Sequence, residues 1–356
     1  MAYNSDMERP TTPLRSSKTQ FDNQAALYDT QWSAWSEATL AWMLELDVSS
    51  RLLAASFTQG EEGVKANRLD KRIRYNHSTD RNKPLRTRFF AFTLLISLLI
   101  ASTAHAAGTQ LTWYGHAAFK ITTPSGKVLM LDPWITNPAN KNGAADLAGI
   151  TKADLILITH GHFDHVGDSV AIANLTGAKL VATGDLADAL VAYGGYPKAQ
   201  AGMDTQGNVG GELSLLGGEV KVLFVPAVHS SAVSPPAGSP NTDPHSGGNP
   251  GGFVISIAGG PTIYATGDTD EFSDMALIGK AHKIDVMLCC IGDHYTMGPV
   301  RAADAVKLVG PRYVVPIHYG TFPILTGTPA EFGEALKKNG SKAQMTVMRV
   351  DQTLNL

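Results

Sequence analysis

From about residue 107 onward, short apolar runs ending on polar residues alternate with stretches of helical period. KITTPSGKVLMLDP reads as a hairpin turning through Pro124-Ser125-Gly126, with its second strand ending at Asp132. DLILITH is apolar almost without interruption, as expected of a strand covered on both faces. VKVLFVPAVH has the same character, and GFVISIAGGPTIYATGD reads as two strands joined at Gly259-Gly260-Pro261. KIDVMLCCIGD and RYVVPIH complete the apolar strands. SVAIANL, DLADALVAYG, RAADAVKLV and AEFGEALKKN carry a helical period between them. Strands and helices mixed over some 250 residues predict an α+β domain over 107–356. Two sheets with helices outside would cover so many apolar strands.

The first part of the chain reads differently. Residues 1–84 hold no lasting periodicity and are expected to be a disordered or non-native extension; WSAWSEATLAW at 32–42 is its one aromatic cluster. Residues 65–88 carry nine Lys or Arg against two Asp, and the apolar run FFAFTLLISLLI follows at 89–100. With Ala104-His105-Ala106 behind it, the segment 85–106 has the three parts of a secretory signal. The run of 12 is short beside the roughly 20 residues of a membrane span. The expected location is therefore periplasmic or secreted, or membrane-anchored if the segment stays uncleaved.

Composition adds limits. Apolar residues are 44% and charged residues 17%, which suits a packed core. Residues 107–356 hold 16 Lys or Arg against 21 Asp or Glu, so no basic surface for nucleic acid is expected. Cys289 and Cys290 are adjacent and cannot frame disulfides; they read as buried filling of an apolar strand.

The chemistry gathers at THGHFDHVGD, where His160, His162, Asp164 and His165 crowd into six positions. Further candidates stand at the ends of three other apolar strands: His229, Asp268 and His318. Strand ends are rigid and place ligands with little ordering cost. Imidazoles and carboxylates together suit Zn, Mn, Fe or Ni rather than Mg or Ca, with Zn the first expectation. Seven groups exceed one tetrahedral ion and divide between two metals, one carboxylate bridging. Two cations would lower the pKa of a shared water and stabilise charge on a carbonyl or phosphoryl oxygen. Asp164 would orient that hydroxide or accept its proton.

His160-x-His162-x-Asp164-His165, with His229, Asp268 and His318 following in order, resembles the metallo-β-lactamase superfamily. The resemblance covers about residues 110–350, and WYGHAAFKI and LDPW resemble its opening hairpins. YTMGP at 295–299 and PIHYGTFP at 316–323 resemble the metal-dependent hydrolases near L-ascorbate-6-phosphate lactonase. The resemblance implies a four-layer αββα sandwich with metals at one edge between the sheets. It implies His160, His162 and His229 on a first metal, Asp164, His165 and His318 on a second, and Asp268 as the bridge. A bridging Asp268 argues against β-lactam hydrolysis and for lactones, thioesters or phosphodiesters.

The remaining polar residues are read more simply. His116, Trp134 and Tyr295 are expected to contact a small-molecule substrate. His294 is expected to act as general acid or oxyanion donor. Asp132 before Pro133 is a turn support whose carboxylate either stabilises the turn or orients a ligand histidine. SPPAGSPNTDPHSGGNPGG, at 234–252, reads as an irregular lid or binding loop with a solvated His245. A nuclease of the same superfamily and a non-catalytic metal-binding module are the alternative functions. Oligomeric state has no signal in the sequence.

Overall fold

The computed structural model describes residues 108–356. The extension 1–84 and the signal-like segment 85–106 lie outside them. The N-terminal half contains β1 (Gln110–Trp113), β2 (Phe119–Thr122), β3 (Val128–Leu131), α1 (Gly143–Ala148), β4 (Leu155–Leu157), α2 (Phe163–Val166), α3 (Ser169–Thr176), β5 (Lys179–Thr183), α4 (Gly184–Ala192) and β6 (Gln206–Gly207). Next come β7 (Glu212–Leu215), β8 (Val220–Pro226), β9 (Ala232–Val233), β10 (His245–Ser246), β11 (Gly251–Ile257) and β12 (Thr262–Ala265). The chain continues through α5 (Met275–Ala281), β13 (Val286–Cys290), α6 (Pro299–Val309), β14 (Tyr313–Ile317), α7 (Pro329–Asn339), β15 (Gln344–Met345) and β16 (Thr353–Asn355).

Two seven-stranded mixed sheets result, ordered β16-β1-β2-β3-β4-β5-β6 and β15-β14-β13-β12-β11-β8-β7. The last strand, β16, closes the edge of the first sheet by pairing antiparallel with β1. Period-2 alternation decides what each strand faces. Leu155 and Leu157 of β4 join Leu129, Leu131, Val222, Phe224, Phe253 and Ile255 in one apolar core between the sheets. Ile156 and Ile158, equally buried, fall on the opposite face of β4. The unbroken apolar pattern of DLILITH thus reflects two buried faces, as expected.

The parallel strands aim their C-terminal ends at one edge. In the first sheet β3, β4 and β5 run parallel. In the second, β12, β13 and β14 are parallel. β8 shares their direction, because it and β12 are both antiparallel to β11. α7 starts on a capping box: Thr328 Oγ1 accepts from the Glu331 N–H while the Glu331 carboxylate accepts from the Thr328 N–H. Cys289 and Cys290 are fully buried in β13, as filling of the core. The stretch 234–252 is less irregular than its composition predicts, since β10 within it pairs with β9 just before it. His245 stacks on Tyr193 with ring centroids 3.6 Å apart, so it is not simply solvated. Among the described residues no helix is long and apolar enough to cross a membrane.

Candidate metal centre

Four of the seven candidate ligands follow strands at the shared edge. His160, His229 and Asp268 each stand three residues past β4, β8 and β12, and His318 directly follows β14. The chain must bend sharply to aim these side chains inward. His318 takes a left-handed φ of 57° and Asp132 one of 41°, costly for residues with a Cβ. Gly267, at φ +61°, makes the bend before Asp268; a Cβ there would meet the Gly251 carbonyl oxygen at 2.6 Å. After His160 the chain enters α2, whose single turn carries Asp164 and His165 inward.

All seven side chains meet. His160 Nε2 and His229 Nε2 lie 3.0 and 3.3 Å from His162 Nδ1. These three form one group whose ligand atoms lie within 4.8 Å of one another; Asp164, His165 and His318, with His116, form another. Asp268 lies between them: its Oδ2 is 3.9 Å from His160 Nε2, 3.7 Å from His229 Nε2 and 3.0 Å from His318 Nε2. Its Oδ1 is 3.2 Å from His165 Nε2.

The contacts of Asp268 with His165 and His318 are close but lack hydrogen-bond geometry. His165 Nε2, His318 Nε2 and Asp268 Oδ1 are buried and have no hydrogen-bond partner in the structure. Buried polar atoms without partners are costly and rare. Here they are nitrogen and carboxylate donors converging on common points, the donor set that Zn-like divalent cations take. The residues therefore fit a metal centre.

A second layer fixes the rings. Asp132 accepts from the Thr159 N–H and Thr159 Oγ1, both at 2.8 Å, and its Oδ2 lies 2.8 Å from His165 Nδ1. This turns Nε2 of His165 toward the centre. Asp132 thus serves both roles open to it, holding the chain at Thr159 and orienting the His165 ring. Thr159 Oγ1 lies 3.1 Å from His160 Nδ1, and Ser230 Oγ 3.3 Å from His162 Nε2.

The electrostatics are those of a charge-dense, dry floor. Burial opposes ionisation of Asp164 and Asp268, yet the neighbouring histidines hold both well below the usual carboxylate range. Burial lowers the pKa of His160 well below its ordinary value, with His165 adding to the effect. His162 and His229 are lowered too, chiefly by burial. Burial also works against charge on His165 and His318, but carboxylates outweigh it. Asp268 and Asp132 hold His165 well above its ordinary range, and Asp268, helped by Asp164, lifts His318 to about 9.

The expected substrate residues divide. His116 is wholly buried, its ring held between Thr321 Oγ1 at 2.8 Å and Asp164 Oδ2 at 3.0 Å. It stands behind Asp164, away from solvent. Burial, reinforced by His318, pushes its pKa down to about 4. Trp134 is buried as well, being only 4% exposed. The turn at Asp132-Pro133 sends its ring inward, stacked on Phe322 and edge-on to Phe163 and His116. Phe163 is the aromatic that reaches solvent, at 42% exposure. His294 and Tyr295 are exposed and pack edge to face at 4.5 Å. They follow β13, which lies between β12 and β14 and hence between the strands leading to Asp268 and His318. Thr159 and Thr321 escape the sequence reading, although both lie inside quoted motifs; a hydroxyl beside a motif histidine was their only signal.

Residues 127–319 match the family described as "Beta-lactamase superfamily domain". A "UPF0173 metal-dependent hydrolase" of Thermodesulfovibrio yellowstonii is 55% identical over 265 residues, 74% of this chain and 98% of that protein. Among solved structures, "Igni18, a novel metallo hydrolase" from Ignicoccus hospitalis is 34% identical, with TM-score 0.59, covering 69% of this chain and 97% of its own. The metallo-beta-lactamase fold protein YhfI from Bacillus subtilis, 13% identical with TM-score 0.50, covers 70% of this chain and 99% of its own and shares the fold. The chain belongs to the metallo-β-lactamase superfamily, as its motif suggested, and adopts that α+β sandwich fold. Within it, the chain is a metal-dependent hydrolase with candidate His and Asp metal-binding groups.

Proposed function

We propose that this hydrolase is dinuclear and cleaves a small ester-like bond, in a lactone, thioester or phosphodiester. The observation carrying this reading is Asp268, whose carboxylate lies within 3.9 Å of His160 and His229 of one group and of His165 and His318 of the other. A carboxylate so placed fits a bridge between His160, His162 and His229 on a first ion and Asp164, His165 and His318 on a second. Two divalent cations, Zn first among the candidates, would supply an activated water as nucleophile and Lewis acidity toward the substrate.

The protein's own residues do the rest. His160, His165, Asp268 and His318 form a buried floor, while His162, Asp164 and His229 are partly exposed at the mouth. Substrate therefore approaches from one side of the cluster. Asp164, at that boundary, is placed to orient a nucleophile or take its proton. His294, on the loop after β13, would protonate the leaving group. Phe163 and Val228 are exposed beside ligand residues and favour a substrate with an apolar portion at the scissile bond. The likeness to L-ascorbate-6-phosphate lactonase concerns sequence motifs, and its substrate is not extended to this chain.

We also propose that the protein is exported and acts on a small molecule rather than nucleic acid. The basic flank and apolar run of 85–106 support export, and the acidic balance of 107–356 supports the second point. Any membrane attachment would run through an uncleaved 85–106 segment. N-terminal sequencing of the exported protein tests this: a start near Ala107 is expected, and retention of residues 1–84 contradicts it.

The enzymatic test uses the full chain, stripped and reloaded with Zn or Mn, on a panel of lactones, thioesters, phosphodiesters and β-lactams. Metal-dependent cleavage of one of the first three classes, lost in Asp164→Ala, is expected. Cleavage of β-lactams alone, or unchanged turnover in the variant, would overturn the reading.

A further inference from the structure

We propose that His116, set by Thr321, is a positioning residue for the second half of the metal centre: its ring fixes Asp164 and its main chain fixes His318. The inference rests on the dinuclear reading above and adds to it the groups that make the second half stiff.

The hydrogen bonds select one form of the ring. A neutral imidazole has one N–H and one lone pair, and an ionised carboxylate only accepts. His116 Nε2 lies 3.0 Å from Asp164 Oδ2, so Nε2 carries the hydrogen and donates it. Nδ1 is then the acceptor, and the Thr321 hydroxyl at 2.8 Å is its donor. The competing acceptor for that hydroxyl, the Tyr319 carbonyl, is at 3.5 Å, the weaker distance. Thr321 thus sets the tautomer, and the tautomer makes His116 a donor to Asp164.

The main chain of the same residue holds the other ligand. The His116 carbonyl accepts from the His318 N–H at 3.0 Å and from Trp113 Nε1 at 3.1 Å. His116 and His318 both sit at left-handed φ, 51° and 57°, with ring centroids 3.9 Å apart. Two strained residues locked to each other hold a geometry that neither would adopt alone. Asp164, by contrast, rides on the four-residue helix α2 and is partly exposed. Its carboxylate torsion is soft; His116 restrains it at 3.0 Å, closer than His318 Nε2 at 3.5 Å.

The experiment titrates stripped, full-chain protein with Zn(II) against a chromophoric chelator, for wild type, His116→Leu, His116→Gln and Thr321→Val. Wild type should take two equivalents. His116→Leu should keep the first and bind the second about 10- to 100-fold more weakly, the usual cost of losing such a partner. His116→Gln, which keeps an N–H near Nε2, should restore most of the loss, and Thr321→Val should weaken the second equivalent alone. Two full-affinity equivalents in His116→Leu would overturn the proposal. So would a His116→Gln as weak as His116→Leu, because that would make the ring a ligand rather than a donor. A single equivalent in wild type would instead refute the dinuclear reading on which the proposal rests. Melting of the metal-free variants separates these outcomes from misfolding, and Thr321→Val carries the test if His116→Leu does not fold.

Discussion

His165 Nδ1 lies 2.8 Å from Asp132 Oδ2, which leaves the opposite ring nitrogen of His165 facing the carboxylate of Asp268. Asp132 gains its own rigidity from two hydrogen bonds given by Thr159, the residue before the candidate ligand His160. The end of β3 and the end of β4 are thereby tied into one support for the centre.

Asp132→Ala should therefore act on metal and on stability together. His165 loses the partner that fixes its tautomer, and metal affinity should fall about 10- to 100-fold. The buried Thr159 N–H loses its acceptor, which costs about 1–3 kcal/mol. Chelator competition and thermal melts check both, and Asp132→Asn should recover part of the stability and less of the affinity.

Metal-free protein should lose stability as pH rises. His318 titrates at about 9 in the fold against 6.5 for an ordinary histidine. A raised histidine pKa contributes stability that is complete below 6.5 and is lost as pH climbs through about 9. Melting in chelator should show a falling Tm across that window. Metal must displace this proton, so zinc binding should release protons and strengthen as pH rises toward 9. Calorimetry in buffers of different ionisation enthalpy measures that release.

Substitution of His294 tests the proton donor apart from the metals. His294→Ala should lower kcat by about 10²–10⁴ with unchanged metal content. The deficit should shrink for substrates whose leaving group needs no proton. A uniform deficit across leaving groups would assign the loop another role.

Gly167→Ala should disturb the support from behind. Gly167 has φ +39°, and a Cβ there would stand 2.5 Å from Trp134 Cα. The contact is with backbone, so the turn carrying Asp132 must shift. Lower Tm and weaker metal binding are expected together, read by melting and chelator competition.

The meeting of His160, His229, Asp268 and His318 was legible because each closes an apolar strand, and a buried strand shows in sequence as an unbroken apolar run. DLILITH and RYVVPIH gave both the strand and the residue it delivers. β5, α1 and α5 were not read, since KLVAT, GAADLA and MALIGKA are too short to establish a period. β6, β7, β15 and β16 are edge or near-edge strands whose apolar patterns are brief, and pairing with distant segments defines them. The substrate residues were the least legible. Trp134 and His116 beside a metal motif suggested a pocket wall, but whether a side chain faces a pocket or its foundations depends on a backbone turn. Asp132 and His116 sit at positive φ, which sequence does not announce for residues other than glycine.

The most direct measurement follows hydrolysis while zinc is added to stripped, full-chain protein on a substrate the panel identifies. Turnover that emerges mainly with the second equivalent, and stops rising there, is the predicted result. Full turnover at one equivalent, or saturation of binding at one, would contradict a dinuclear centre bridged by Asp268.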